Sequence, residues 1–181
     1  MLFRLNINLS EDDYLDFNKF HSFESMHGKK LFIRTRIRFV LTMLILAAIF
    51  LLIMGATAFS ITYAIALSLY TLLYMVFFKR LATRNIKNQI KRLKKTGKLP
   101  FDPVSSIEFH EDKLVSITAE KRTEQSYSIF ERVCVVKDRF ILLYYSSVGS
   151  YTLPIAQVKA QLNQEDFVNF LSGKCPNVEY Y

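Results

Sequence analysis

Forty consecutive residues, Phe39 to Phe78, carry no charged side chain. At a rise of about 1.5 Å per residue they would make roughly 60 Å of helix, twice the ~30 Å hydrocarbon core of a bilayer. One crossing cannot use that length; two crossings joined by a tight turn can. Gly55-Ala56-Thr57, near the middle, supplies a turn. The run therefore predicts a helical hairpin over residues 37–78, with spans at Ile37–Met54 and Ala58–Phe78. A secretory signal peptide is not expected, because the first thirty residues are mixed and polar and no small-residue cleavage site follows the first apolar run. That run reads as an uncleaved anchor.

Charge fixes the expected orientation. The net charge is +8, but Lys79 to Lys98 alone holds nine basic and no acidic residues, and the remaining 15 basic and 16 acidic residues nearly balance. Five more cations, Lys29 to Arg38, precede the first span, and Arg36 and Arg38 can snorkel to headgroups. The turn between the spans has none. Short flanking loops rich in Lys and Arg stay cytoplasmic, so both termini are expected in the cytoplasm and the chain in the cell (inner) membrane.

In the second half of the hairpin Ala56, Ser60, Ala64 and Ser68 recur every four residues. Such a small-residue ridge lets a helix approach closely; the expected neighbour is the first span around Ala47 and Ala48, with a second copy of the chain as the alternative. Tyr70 and Tyr74 suit the interfacial end. Residues 79–99 read as a basic cytoplasmic helix with an apolar stripe of Leu81, Ile86, Ile90 and Leu93. Lys79, Arg80, Arg84, Lys87, Lys91, Arg92, Lys94 and Lys95 are the candidate contacts to the membrane surface, where each cation contributes roughly 1 kcal/mol toward anionic lipid. A bend near Thr83–Asn88, where helix formers are weaker, would bring the far charges back to that surface. Thr96-Gly97 is expected to stop the helix, and Pro100 and Pro103 to enforce extended chain. Nucleic acid is not an expected partner, since no aromatic stacking platform accompanies the basic run.

The soluble segments show other periods. Phe3, Leu5, Ile7 and Leu9 alternate with polar residues and predict a strand. Ser10 and Asp13 have capping-box spacing, so a helix follows, with an aromatic stripe of Tyr14, Phe17 and Phe20 and a stop or bend at Gly28. Residues 1–36 form this N-terminal segment, expected to dock on residues 100–181. After Val104, strands are expected at Ser105–Phe109, Leu114–Ala119, Ser126–Val136, Phe140–Tyr145 and Tyr151–Leu153, then a final helix capped by Asn163. The fold class is thus an α+β membrane protein: a two-helix transmembrane hairpin plus a small antiparallel β meander or half-barrel with a C-terminal helix.

Chemistry is sparse. His21, His27 and His110 are the only histidines, and the first two are six apart, not on one face of a regular helix. No metal, phosphate-loop, dinucleotide or hydrolase motif is present. Glu108, His110, Glu111 and Asp112 form the densest polar group, read as a solvated hairpin. Cys134 lies in an apolar β-branched run, and no C-x-x-C spacing accompanies it. Beyond Arg38 at the cytoplasmic edge, the spans hold no Asp, Glu, Lys, Arg or His, which disfavours a carrier. No catalytic residue, cofactor or metal is assigned.

The order of these pieces resembles the YcxB-like family of bacterial membrane proteins. The likeness is carried by Ser10-Glu11-Asp12-Asp13-Tyr14-Leu15-Asp16-Phe17-Asn18 with His21 following, by two adjacent spans, and by Phe109-His110-Glu111-Asp112-Lys113-Leu114. Ser126-Tyr127-Ser128-Ile129, Lys137-Asp138-Arg139-Phe140-Ile141-Leu142-Leu143-Tyr144 and Leu153-Pro154 follow in family order. Pro154 is followed here by Ile155 where the family usually has Lys. The resemblance implies a membrane-bound domain similar to pleckstrin-homology-like (PH-like) folds; it does not imply an activity. The expected function is a membrane-anchored interaction or regulatory protein with an unidentified protein partner and anionic lipid headgroups. The alternatives are an immunity or stress protein that binds a toxin or another membrane protein, and a subunit of a membrane enzyme.

Overall fold

A computed structural model describes residues 1–97, 99, 101–146 and 149–181. Pro100, expected to enforce extended chain, and Lys98 at the end of the basic run lie outside the described residues. The protein is α+β and divides into two units: Met1–Tyr14 with Thr96–Tyr181, and Leu15–Lys95.

In the first unit, β1 (Phe3–Asn8) pairs antiparallel with β2 (Val104–Phe109) along its whole length, from Phe3 opposite Phe109 to Asn8 opposite Val104. A strand this short is not stable alone, so β1 completes a sheet whose other members lie a hundred residues away. That sheet continues through β3 (Lys113–Thr118) to β4 (Arg122–Ser126), all antiparallel. A second sheet is built from β5 (Arg132–Val136), β6 (Phe140–Tyr144) and β7 (Ser150–Pro154) as an antiparallel meander. Two helices, α4 (Ile155–Gln161) and α5 (Gln164–Lys174), then carry the chain back so that β8 (Val178–Tyr180) lies parallel to β5.

The single meander expected from the sequence is therefore two four-stranded sheets. The long strand expected at 126–136 is broken: Ser126 caps one 3-10 turn, Tyr127–Ile129, and the chain restarts as β5. Tyr127 turns inward there and its hydroxyl donates to the carbonyl of His110 at 2.9 Å. The tight turn at Asp138 adopts φ 58°, a left-handed conformation that Asp tolerates better than most residues. Asn163 caps α5 as expected, its side-chain oxygen accepting from the backbone of Glu165 at 2.9 Å.

One core joins both sheets and both helices: Leu5 and Ile7 from β1, Phe109 from β2, Leu143 from β6, Val158 from α4 and Phe167 from α5 are among its members. Phe167 meets the ring of Phe109 edge-on at 4.9 Å and that of Phe3 at 5.6 Å, geometries worth about 0.5–1.5 kcal/mol each beyond area burial. β5 and β6 are buried on both faces, since Cys134, Leu142 and Tyr144 are covered as well as their neighbours in the core. That explains why these strands read as unbroken apolar runs without alternation.

The outer edge of β1 is closed in an unusual way. Gln157 and Gln161, one turn apart on α4, each use a side-chain amide as a strand substitute. The amide of Asn6 donates to Gln161 Oε1 at 2.8 Å, and Gln161 Nε2 donates to the Asn6 carbonyl at 2.9 Å. Gln157 does the same with Asn8, at 2.8 and 2.7 Å. Open edges template unwanted pairing, and the two glutamines satisfy this one. Replacing both with alanine is expected to make the Asn6 and Asn8 amides exchange with solvent far faster and to lower the stability of the sheet by about 0.5–1.5 kcal/mol per lost hydrogen bond. Residue-resolved hydrogen exchange checks it; unchanged protection at both amides would contradict the latch.

Candidate functional site

The features the sequence marked as functional lie mainly in the second unit, and the helix that leads into it starts at Ser10 in the first. The capping box forms: the amides of Ser10 and Asp13 are bound by the partner's side chain at 2.9 and 3.1 Å, and α1 (Glu11–Lys19) starts there. The helix does not run on to Gly28. It passes into one turn of π-helix, Phe20–Glu24, and stops at Ser25, whose side chain accepts from the Gly28 amide at 3.0 Å and so caps α2 (Met26–Met54). Gly28 sits inside the first turn of α2 and is needed for close approach, because a Cβ there would overlap the carbonyl oxygen of His21. The expectation of a stop at Gly28 fails because Ser25 takes the cap three residues earlier. The same break brings His21 and His27 to one cleft, which a regular helix would not do.

α2 ends at Gly55, whose φ of 69° suits glycine, and α3 (Ala58–Lys95) begins after Thr57. Thr57 and Ser60 bind reciprocally: the Thr57 amide donates to Ser60 Oγ at 2.9 Å, and the Ser60 amide to Thr57 Oγ1 at 3.2 Å. The Ser60 hydroxyl also donates to the Gly55 carbonyl. Ser60 is thus buried by its own turn. Ala56 lies in that turn and not on the helix, Ala64 is half-buried, and Ser68 is exposed with its hydroxyl donating to the Ala64 carbonyl at 2.8 Å.

The rungs between the helices are aromatic. Phe39 meets Tyr74 with ring centres 4.1 Å apart, and Phe50 meets Tyr63 at 4.4 Å. Nearer the base, Phe32 meets Phe78 at 5.2 Å. Arg36 adds a clasp: Nη2 donates to the Met75 carbonyl on α3 at 2.9 Å. The signal was present in the sequence, since Phe39 and Phe50, like Tyr63 and Tyr74, are eleven residues apart. Eleven residues make three helical turns and keep one face.

α3 continues without a break to Lys95, so the bend expected near Thr83–Asn88 is absent, and residues 79–95 extend the second apolar helix instead of forming a separate one. Lys79, Arg80, Arg84, Lys87, Lys91, Arg92, Lys94 and Lys95 are all exposed. Of the apolar stripe only Ile90 is buried; Leu81 and Leu93 are exposed and Ile86 is intermediate.

Elsewhere the polar groups do not assemble into a reactive site. Among the described residues no three His, Cys, Asp or Glu side chains converge as metal ligands. His110 Nε2 lies 3.5 Å from the Glu108 carboxylate, while Glu111 and Asp112 face solvent in the turn. Cys134 and Cys175 are both buried and unpaired with each other. The Cys134 thiol faces Glu179 at 3.5 Å, and Tyr181 donates to that carboxylate at 2.7 Å. Burial, helped by the Glu179 charge, pushes the Cys134 thiol up to about 12, and burial pushes Cys175 up to about 11. A shallow cleft lined by Gln164, Glu165, Asn169 and Tyr180 offers no nucleophile paired with a base. No family model matches this chain, and no curated protein or solved structure matches it either.

The thiols give a prediction. The thiolate is the reactive form, so both cysteines should react slowly with iodoacetamide at pH 8 in the folded protein and fast in denaturant. Because their folded pKa values lie above the ordinary value near 9, the folded state holds these protons longer than the unfolded chain does. Their contribution to stability is complete below pH 9 and declines as pH rises toward 12. Burial raises the Tyr127 and Tyr144 phenols in the same direction. Denaturant titrations across that range check the sign; stability that rises with alkaline pH would contradict it.

Proposed function

We propose that this chain is a membrane-anchored interaction or regulatory protein of the cytoplasmic face, without catalytic activity. α2 and α3 cross the bilayer as a hairpin and present the β-rich unit to its partners. One observation carries the reading: both helices are long and apolar enough to span, and no residue of their most apolar 18-residue stretch is buried. A core helix of a soluble protein would bury its apolar side chains. Here Leu44, Ile45, Leu52, Ile65, Leu69 and Leu72 all face outward. Each would gain about 1.5–3 kcal/mol on leaving water. The uncharged parts, residues 39–54 and 58–78, measure about 24 and 31 Å as helix, close to the ~30 Å hydrocarbon thickness.

The basic extension fits a graded role. Along an unbroken α3, Arg84 lies about 9 Å beyond Phe78 and Lys95 about 25 Å beyond it. The surface potential decays within a Debye length of roughly 8 Å at physiological salt. Lys79, Arg80 and Arg84 then serve the headgroups, while Lys91, Arg92, Lys94 and Lys95 stand beyond that field and suit an acidic protein surface. The two sheets with their returning helices are consistent with a PH-like domain, and the residues quoted above resemble those of the YcxB-like family. The edge strand β4, Arg122–Ser126, is polar and outermost in its sheet; it suits strand addition by a partner better than catalysis.

Fusions of a reporter active only outside the cytoplasm test the topology. The reporter is expected to be silent at residue 1 and residue 181 and active when inserted at residue 56. Activity at either end would contradict the proposal.

A further inference from the structure

β4 ends its sheet at the side opposite the edge that Gln157 and Gln161 close. The Thr118 amide donates to the Lys121 carbonyl at 2.8 Å, in register with Ile117 opposite Arg122, and this bond sets the alternation of the β3–β4 pair. Thr123, opposite Ser116, and Gln125, opposite Leu114, then exchange backbone bonds with β3, while Arg122, Glu124 and Ser126 turn their amides and carbonyls away from it. The far edge obeys the same parity, since Asn6 and Asn8 face outward there and meet the glutamines. Arg122, Glu124 and Ser126 are exposed, and Thr123 and Gln125 are half-buried. Among the described residues no hydrogen bond reaches the outward amide of Arg122 or Glu124.

Such an edge is a template for another strand. A row of like charges would repel a copy of itself, but Arg122 and Glu124, on either side of Thr123, are self-complementary. Backbone parity admits only those antiparallel registers that oppose residues drawn from Arg122, Glu124 and Ser126. A two-fold axis at Glu124 sets carboxylate against carboxylate, and an axis at Arg122 sets guanidinium against guanidinium; like charges directly opposite destabilise a sheet. Axes at Gln125 or Ser126 run out of strand at Tyr127, where the 3-10 turn begins. With the axis at Thr123, each Arg122 lies opposite the second copy's Glu124, Lys121 opposite Gln125 and Glu120 opposite Ser126. Directly opposed side chains share one face. The second copy's Arg122 therefore extends a charged row already present, in which Lys113 Nζ lies 2.7 Å and Arg122 Nη2 3.4 Å from the Glu124 carboxylate.

We propose that β4 pairs with β4 of a second copy of this chain, antiparallel about a two-fold axis at Thr123, each Arg122 opposite the other copy's Glu124. The inference rests on two readings above, the membrane anchor and β4 as a strand-addition edge, and it names the added strand. The interface is short, and confinement of both copies to one membrane raises their effective concentration. Because Gln157 and Gln161 close the β1 edge, the joined sheets stop at two copies and do not grow into a fibre.

Full-length protein carrying Thr123→Cys is reconstituted in liposomes and oxidised with copper phenanthroline; Cys134 and Cys175 are buried, and wild type is the blank. Opposed residues of a pair without backbone bonds have Cα atoms about 4.5 Å apart, within disulfide reach, so most of this variant is expected to become a covalent dimer. Ser126→Cys lies three residues from the axis on each copy, hence about 20 Å from its mate, and should give about tenfold less. On the Thr123→Cys background, Arg122→Glu or Glu124→Arg alone should lower the yield several-fold, because like charges then meet. Mixing the two variants should restore it, because in the mixed pair every charge meets its opposite. Equal yields at 123 and 126, a stronger cross-link for Glu124→Cys than for Thr123→Cys, or no restoration on mixing would each overturn the proposal. Flotation of the liposomes separates it from the anchor reading. Protein that floats without a cross-link at 123 removes only the self-pairing; protein that does not float removes the anchor and the pairing with it. A photoreactive residue at position 123, in membranes of the producing cell, tests the edge itself. An adduct with a different protein and none with a second copy removes self-pairing and keeps strand addition, and no protein adduct removes both.

Discussion

Two helices whose apolar side chains find no protein core are the constraint on which the rest depends. α2 and α3 touch each other along one face only, through Phe39–Tyr74, Phe50–Tyr63 and Phe32–Phe78. Rings reach across an interhelical gap that smaller side chains would leave open, and the Arg36 bond to the Met75 carbonyl fixes the register at the charged end. At the other end Gly55 and the reciprocal pair of Thr57 and Ser60 complete the reversal within a few residues. No residue in the most apolar stretch of either helix is buried. On the proposed reading the bilayer is the missing solvent, and it satisfies the requirement that no backbone polar group be left unpaired, because helices meet it internally.

The first unit solves a different problem, that of a small core. About a hundred residues bury limited surface, and the fold extends its core by recruiting β1 from the far end of the chain. That strand brings Leu5 and Ile7 into the centre. Its exposed edge is then closed by Gln157 and Gln161 of α4. The helix that covers the core therefore also guards the sheet, and the sheet can remain four strands wide without inviting a fifth at that side. The opposite edge, β4, is polar.

What could be read from the sequence follows the strength of the local signal. The hairpin limits at Met54 and Ala58, the β1 strand, the Ser10–Asp13 box and the Asn163 cap were all legible, because each rests on a run or on side-chain chemistry at fixed spacing. β4 was not, since Arg122-Thr123-Glu124-Gln125-Ser126 has no apolar alternation and takes its state from pairing to β3. The parallel strand β8 was hidden for the same reason: three residues gain their state from β5, a long-range partner. The π turn and the Ser25 cap were missed because a continuous aromatic stripe reads as one helix. The small-residue ridge was legible but its use was not: Ser60 serves its own turn and Ala56 precedes the helix. The eleven-residue spacing of the aromatics was the better guide to the helix contact.

Depth measurement of the hairpin tests the central claim most directly. Single spin labels on cysteines placed at residues 45, 56 and 69 of the full-length protein, reconstituted in liposomes, report accessibility to oxygen and to a water-soluble nickel complex; the buried native thiols should stay unlabelled. The account predicts that 45 and 69 see oxygen and little nickel, while 56 sees nickel. Equal nickel access at all three positions would mean that the hairpin does not enter the bilayer.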